Sequence, residues 1–275
     1  MGTADGRCGS VILLSSVAVD ARLVHSVVLR TLPGQPGTNY AGEALRRRKG
    51  SAQSWAWRDR SPSAYFGPVS RRRIICMSKL YKGLICGTGS AGLYVGQVAE
   101  ADGRATVAGM SDPVSNQLDK GKERFPEAAI GTDYYELLDR VEPNLVFVAG
   151  PDHLHAEQAL AALDRGCHVL IEKPLATTVE DAHRLVDAQQ RTGLQVMADH
   201  TARYLYPYHE MVLAARAGEI GQVFFTQGDY LHDMWAHYSP QGDRHTPWRI
   251  DSDNPQNILL GGGCHALDTM LWAIN

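Results

Sequence analysis

Apolar positions in this chain follow two patterns from about residue 81 onward, and their alternation predicts the architecture. Residues 84–86 (Leu-Ile-Cys) form a short continuous apolar run suited to a strand buried on both faces, and Val95, Val98 and Ala99 then recur at helical spacing. The succession repeats as a strand at 105–111, a helix at 116–125, a short extended segment at 128–130 and a helix at 133–140 with Thr132 as its N-cap. Next come a strand at 145–149, a helix at 156–165 closed by Gly166, a strand at 168–171 and a last strand at 194–199. Strands alternating with helices imply right-handed crossovers and a doubly wound parallel sheet, an α/β fold of the Rossmann type. Ligands of such sheets lie beyond the carboxyl ends of the strands. Here those ends carry residues 87–92, Asp112, residues 151–155 and the pair Glu172–Lys173.

The first of these ends is the most informative. Gly87-Thr88-Gly89-Ser90-Ala91-Gly92 is G-x-G-x-x-G at a strand-to-helix junction. Gly87 allows the tight turn, Gly89 lets the backbone approach a pyrophosphate, and Gly92 lets helix and strand pack closely. Free N–H groups at the helix start, on Ser90, Ala91 and Gly92, then face the phosphates. Three glycines among 27 are weak evidence alone, so the acid that should follow decides the matter. Asp112 stands 20 residues after Gly92 at the end of the second strand. A carboxylate there accepts both ribose hydroxyls and repels a 2′-phosphate, which favours NAD over NADP. The plainer alternative is a solvated turn residue before Pro113.

Composition narrows the class. The 275 residues suffice for one large or two ordinary domains. The net charge of −3 hides an asymmetry: residues 1–76 hold 12 Lys/Arg and 4 Asp/Glu, and residues 77–275 hold 15 and 26. The second part is an acidic protein with nothing that points to nucleic acid. Five cysteines without a C-x-x-C pair read as reduced thiols in a cytoplasmic protein, and no apolar run approaches a membrane span. The first 76 residues, with Arg46-Arg47-Arg48-Lys49, Arg71-Arg72-Arg73 and a Pro/Gly patch at 32–37, read as an unstructured extension ahead of Met77. A secretory signal at 11–19 or an Arg-rich organelle presequence is the alternative.

Beyond the glycine turn the motifs become specific. Gly150-Pro151-Asp152 with His155, then His168 through Glu172-Lys173-Pro174, resembles the Gfo/Idh/MocA family of oxidoreductases. Thr201-Ala202-Arg203-Tyr204 with Pro207, Trp248-Arg249, and Gly261-Gly262-Gly263-Cys264-His265 with Asp268 follow in the family's order. The resemblance runs from about Tyr81 to Asn275. It implies a dinucleotide-binding Rossmann domain over residues 77–200, with residues 201–275 opening an α+β second domain built on a mostly antiparallel sheet. A helix at 209–217, a strand at 223–231 and a helix at 266–274 fit that start, and the sheet is expected to be incomplete because the family continues past this point.

The resemblance also implies a chemistry: hydride transfer between NAD (NADP less favoured) and a hydroxyl-bearing carbon of a sugar, cyclitol or other polyol, in a homo-oligomer when full length. Lys173 occupies the family's lysine and polarises the substrate oxygen; His265 is the matching acid/base, and Asp268 on the same helical face either orients it or is a structural helix residue. Pro151 and Glu172 fall on the nicotinamide side, and His155 either joins them or only satisfies backbone groups at the start of its helix; a cis Lys173–Pro174 bond is to be looked for. Arg203, Tyr204 and Trp248 fall on the substrate side. One departure stands out: the family's aspartate four residues before the histidine is Gly261 here. That departure keeps open a protein that binds dinucleotide as a sensor without turnover. His232, Asp233, His237, His245, Cys264 and His265 crowd together but match no metal-site spacing, so no metal is expected.

Overall fold

The computed structural model describes residues 11–17, 23–31, 80–242, 245–253 and 258–274. Two strands, β1 (Val11–Val17) and β2 (Leu23–Thr31), lie in the N-terminal segment. The rest of residues 1–76, with the basic clusters and the Pro/Gly patch, lies outside the described residues. The chain divides into two units, one of Ile75–His200 and Met234–Cys264, the other of Met1–Ile74, Thr201–Asp233 and His265–Asn275. Residues 234–264, expected to belong with the second domain, thus group with the first.

The first unit is a six-stranded sheet built from β3 (Tyr81–Cys86), β4 (Ala105–Ser111), β5 (Ala129–Gly131), β6 (Leu145–Val148), β7 (His168–Glu172) and β8 (Val196–Asp199). The order is β5-β4-β3-β6-β7-β8, with every pairing parallel. That order places a switch point between β3 and β4 on one side and β6 on the other, where a doubly wound sheet opens its ligand crevice. Alternate residues of each strand serve opposite layers. Leu84, Val146, Val148, Val169 and Ile171 pack with α3 (Tyr134–Val141), α4 (His155–Asp164) and α5 (Val179–Thr192). Ile85, Val107, Met110 and Phe147 pack with Leu93 of α1 (Ser90–Asp102) and with Phe125, which follows α2 (Ser115–Arg124). Both faces are covered, which is why the strands read as continuous apolar runs.

Helix ends follow local chemistry. Asp133, not Thr132, caps α3: its carboxylate accepts from the N–H groups of Tyr135 and Glu136. An aspartate adds charge to the same capping geometry at a helix start, and that favours it over the neighbouring threonine. Thr178 caps α5 by accepting from Asp181 N, and its hydroxyl donates to the Asp181 carboxylate. The Lys173–Pro174 bond is cis. The short helix α7 (Trp235–Tyr238) and a π-helical turn at Leu259–Gly263 complete the described part of this unit.

In the second unit, β9 (Val223–His232) pairs antiparallel with β2, and β2 with β1. A segment expected to lack a fold therefore contributes a hairpin to this sheet. Leu23, Val24, Val27, Val28 and Leu29 give β2 the composition of a strand, and β9 offers it an open edge. The helices α6 (Tyr206–Arg216) and α8 (Cys264–Ile274) share a core of Ala202, Tyr208, Met211, Val212, Ala215 and Ala273. Helix α6 begins three residues before the sequence-based expectation because Pro207 suits a first turn.

Helix α1 lies against the sheet through glycine. A Cβ on Gly96 would fall 2.6 Å from Ile85 Cδ1 and 3.0 Å from Phe125 Cζ. Gly96→Ala is therefore expected to cost about 1–3 kcal/mol of unfolding free energy, a net loss despite alanine's better helix propensity. Urea unfolding followed by far-UV circular dichroism measures it; an unchanged midpoint would mean the helix can move away freely.

Candidate active site

The turn from β3 into α1 is shaped by Gly87, whose φ of +96° is closed to most side chains. A Cβ there would also sit 2.6 Å from the carbonyl carbon and oxygen of Ala149. One on Gly92 would sit 2.1 Å from Gly87 O. Gly89 differs: nothing lies within 4 Å of the place its Cβ would take. The turn is tight where it meets the sheet and open where a ligand would approach. No side chain caps α1 and its first turn holds no acid, so the N–H groups of Ser90, Ala91 and Gly92 stay available to an anion. These features fit a dinucleotide pyrophosphate.

Asp112 is fixed against the same turn. Its Oδ2 accepts from Thr88 N at 2.9 Å and from Thr88 Oγ1 at 3.1 Å, and its Oδ1 accepts from Val114 N at 3.0 Å. Thr88 is fully buried, so its hydroxyl has few alternatives to Asp112. The carboxylate is oriented before any ribose arrives and retains lone pairs for it. Beside it, burial and the charge of Asp112 push the Cys86 thiol well above its usual range, which makes that cysteine unreactive.

Three further strand ends meet at this edge. Pro151 precedes a short 3₁₀ turn, Asp152–Leu154, that leads into α4. His155 was expected on the nicotinamide side, but only 1% of it is exposed and the main chain takes both ring nitrogens. Nδ1 lies 2.8 Å from Pro174 O and Nε2 lies 3.0 Å from Gly150 O. The ring thus links the turn after β6 to the turn after β7, in keeping with the reading in which it satisfies backbone groups. At the end of β7, Glu172 Oε2 accepts from Lys173 N, while Lys173 Nζ donates to Gly261 O at 2.8 Å.

Glu172 and Asp199 help line a small recess with Val95, Phe147, Val148, Ala149 and Leu170. Burial raises the Glu172 pKa; Asp199 and Asp152 raise it further, and Lys173 and its hydrogen bond offset only part of this. Burial likewise raises Asp199, against the pull of His200 and Lys173. Asp199 was missed as a site residue, although it ends its strand as Asp112 and Glu172 do.

The remaining candidates divide between the units. Trp248 lies in a 3₁₀ turn, Pro247–Arg249, with the Arg249 guanidinium 4.4 Å from its ring centre. In the second unit Arg203 and Asp268 form a two-pronged ion pair, Nε to Oδ2 and Nη2 to Oδ1, each at 2.7 Å. Asp268 was the candidate to orient His265; both its oxygens are engaged by Arg203 instead, and the arginine's longer reach and fork geometry explain the pairing. His265 stacks on Tyr230, with ring centres 6.2 Å apart, and Tyr204 is exposed. Among the described residues no group of side chains is arranged to hold a metal ion, and no helix is long and apolar enough to cross a membrane.

The fold and this edge define a dinucleotide-binding domain. Residues 81–200 match the family described as "Oxidoreductase family, NAD-binding Rossmann fold", so this part of the chain is a Gfo/Idh/MocA-type NAD-binding domain. A 1-carboxy-3-chloro-3,4-dihydroxycyclohexa-1,5-diene dehydrogenase of Comamonas testosteroni is 30% identical over 186 residues, 68% of this chain and 45% of that protein. A 1,5-anhydro-D-fructose reductase of Ensifer adhaerens is 30% identical over 176 residues, 62% of this chain and 51% of that one. An oxidoreductase structure from Thermotoga maritima superposes with a TM-score of 0.59 at 19% identity, covering 71% of this chain and 60% of that one, and shares the fold. The chain spans about half the length of the curated relatives it matches.

Thr88→Val is expected to weaken NADH binding about fivefold through loss of the hydroxyl that orients Asp112, and Thr88→Ser to restore it. Fluorescence titration with NADH reads both; equal affinities would show that Asp112 needs no such support. Glu172 gives a pH test. A carboxyl raised by folding stabilises the fold fully below its unfolded value and loses that contribution as pH rises through its folded value. Glu172→Gln should therefore raise the melting temperature by about 1–3 °C at pH 7 and converge with wild type near pH 4. Parallel melting curves across that range would contradict the assignment.

Proposed function

We propose that the intact protein is an NAD-dependent dehydrogenase that moves a hydride between the nicotinamide and a hydroxyl-bearing carbon of a sugar, cyclitol or related polyol. The observation that carries this reading is the convergence, in one unit, of the open glycine turn with its oriented Asp112 and of Lys173 at the carboxyl edge of one parallel sheet. Relatives named as a dehydrogenase of a dihydroxylated cyclohexadiene and as a reductase of 1,5-anhydro-D-fructose support this substrate class.

NAD, when bound, supplies the hydride acceptor. The N–H groups of Ser90, Ala91 and Gly92 hold its pyrophosphate, and Asp112 takes the ribose hydroxyls while its charge disfavours a 2′-phosphate. Loss of hydride from an alcohol carbon requires the hydroxyl proton to leave as the carbonyl forms. Lys173 Nζ, with a lone pair free, hydrogen-bonds that oxygen, takes its proton as the hydride leaves and releases it to solvent; His265 is the second acid/base. Glu172 and Pro151 border the nicotinamide side, and Arg203, Tyr204 and Trp248 serve the substrate. Hydrogen-bonding the hydroxyls of a polyol suits such polar and aromatic side chains.

The test is cofactor absorbance with the full-length protein, using NAD with myo-inositol, scyllo-inositol or D-glucose, and NADH with 1,5-anhydro-D-fructose. At least one pair is expected to turn over, with Lys173→Met lowering kcat by about a hundredfold or more and leaving NADH affinity unchanged. Tight NADH binding without turnover on any member would favour a dinucleotide sensor instead.

A further inference from the structure

Lys173 ends its strand with an ammonium group that needs acceptors. Among the described residues it makes one side-chain hydrogen bond, to Gly261 O at 2.8 Å, and no carboxylate forms an ion pair with it. The acceptor belongs to the π-helical turn Leu259–Gly263, where Gly261 and Gly262 are buried. A π-turn spaces its hydrogen bonds one residue wider than an α-helix, and the passage from one to the other leaves a carbonyl short of its usual partner. A buried carbonyl in that position must find a donor elsewhere. Gly261 has no side chain to offer, so its oxygen is the only acceptor the residue can present.

We infer that the main-chain carbonyl of Gly261, delivered by the triple-glycine π-turn, is the group that sets the Lys173 amine in position for reaction. This rests on the reading of Lys173 as the group that handles the substrate proton. Gly261 stands where the family resemblance places an aspartate, and a backbone oxygen replaces the carboxylate. A carbonyl fixes the direction of Nζ without neutralising it. With one N–H given to Gly261, two positions on Nζ remain, as N–H or lone pair, for the substrate oxygen and its proton. Gly261 is thus a positioning residue that acts through its main chain, and the extra residue of the π-turn is what directs its oxygen toward Lys173.

The sequence supplies a selective probe, because residues 261–263 contain its only Gly-Gly pairs. In the 275-residue chain made with carbonyl-13C glycine and 15N glycine, a carbonyl-to-amide correlation spectrum shows two peaks, reporting the Gly261 and Gly262 carbonyls. Lys173→Met is expected to move the Gly261 peak and leave the Gly262 peak in place; two unmoved peaks, or two that shift equally, would overturn the inference. Deleting Gly262 should convert the π-turn to α-helix and lower kcat about tenfold or more, with KM for NAD changed by less than about twofold. Unchanged kcat in a folded deletion variant would also overturn it, and if that variant does not fold the two carbonyl peaks decide alone. If no polyol turns over in the wild type, the dehydrogenase reading fails while the carbonyl spectrum still reports on this bond.

Discussion

The turn between β3 and α1 takes its shape only because nothing projects from Gly87 toward Ala149. That close approach lets the chain leave β3, reverse against the end of β6 and enter a helix whose first N–H groups remain uncapped. It sits at the switch point of the sheet, where strands on either side send their connections to opposite layers. With Gly92 against Gly87 O and Gly96 over Ile85, the helix is drawn so close that its N-terminus and Asp112 come to share Thr88. A larger residue at any of these three glycines would separate groups that have to converge.

Around that turn the main chain does most of the positioning. His155 places its ring nitrogens within 3.0 Å of carbonyls of two different turns, and Lys173 meets a carbonyl rather than a carboxylate. Acid groups are present at the same edge, but Glu172 and Asp199 are buried enough that ionising them opposes folding. A site assembled from backbone carbonyls and partly buried carboxylates is sensitive to main-chain path. The π-turn at 259–263 and the glycines at 87, 92 and 96 therefore matter as much as the titratable side chains.

The Rossmann unit was legible in the sequence because its signals are local. Continuous apolar runs mark strands covered on both faces, and the glycine spacing with Asp112 reports a turn whose geometry permits little else. Contacts set by tertiary structure were not legible. The hairpin of β1 and β2 falls in a segment whose basic clusters suggested no fold, and only its pairing with β9 makes it a sheet. The surroundings of His155 depend on Gly150 and Pro174 coming together, and between the two readings of Asp268 no local signal points to Arg203, 65 residues away. A run of three glycines before a helix gives no signal that it forms a π-turn.

Selection of NAD by this turn and its acid is the proposal on which the rest depends. Calorimetric titration of the full-length protein with NADH and with NADPH tests it most directly. NADH is expected to bind at least about tenfold more tightly, because a second phosphate would face the Asp112 carboxylate. Equal affinities, or a preference for NADPH, would contradict the account.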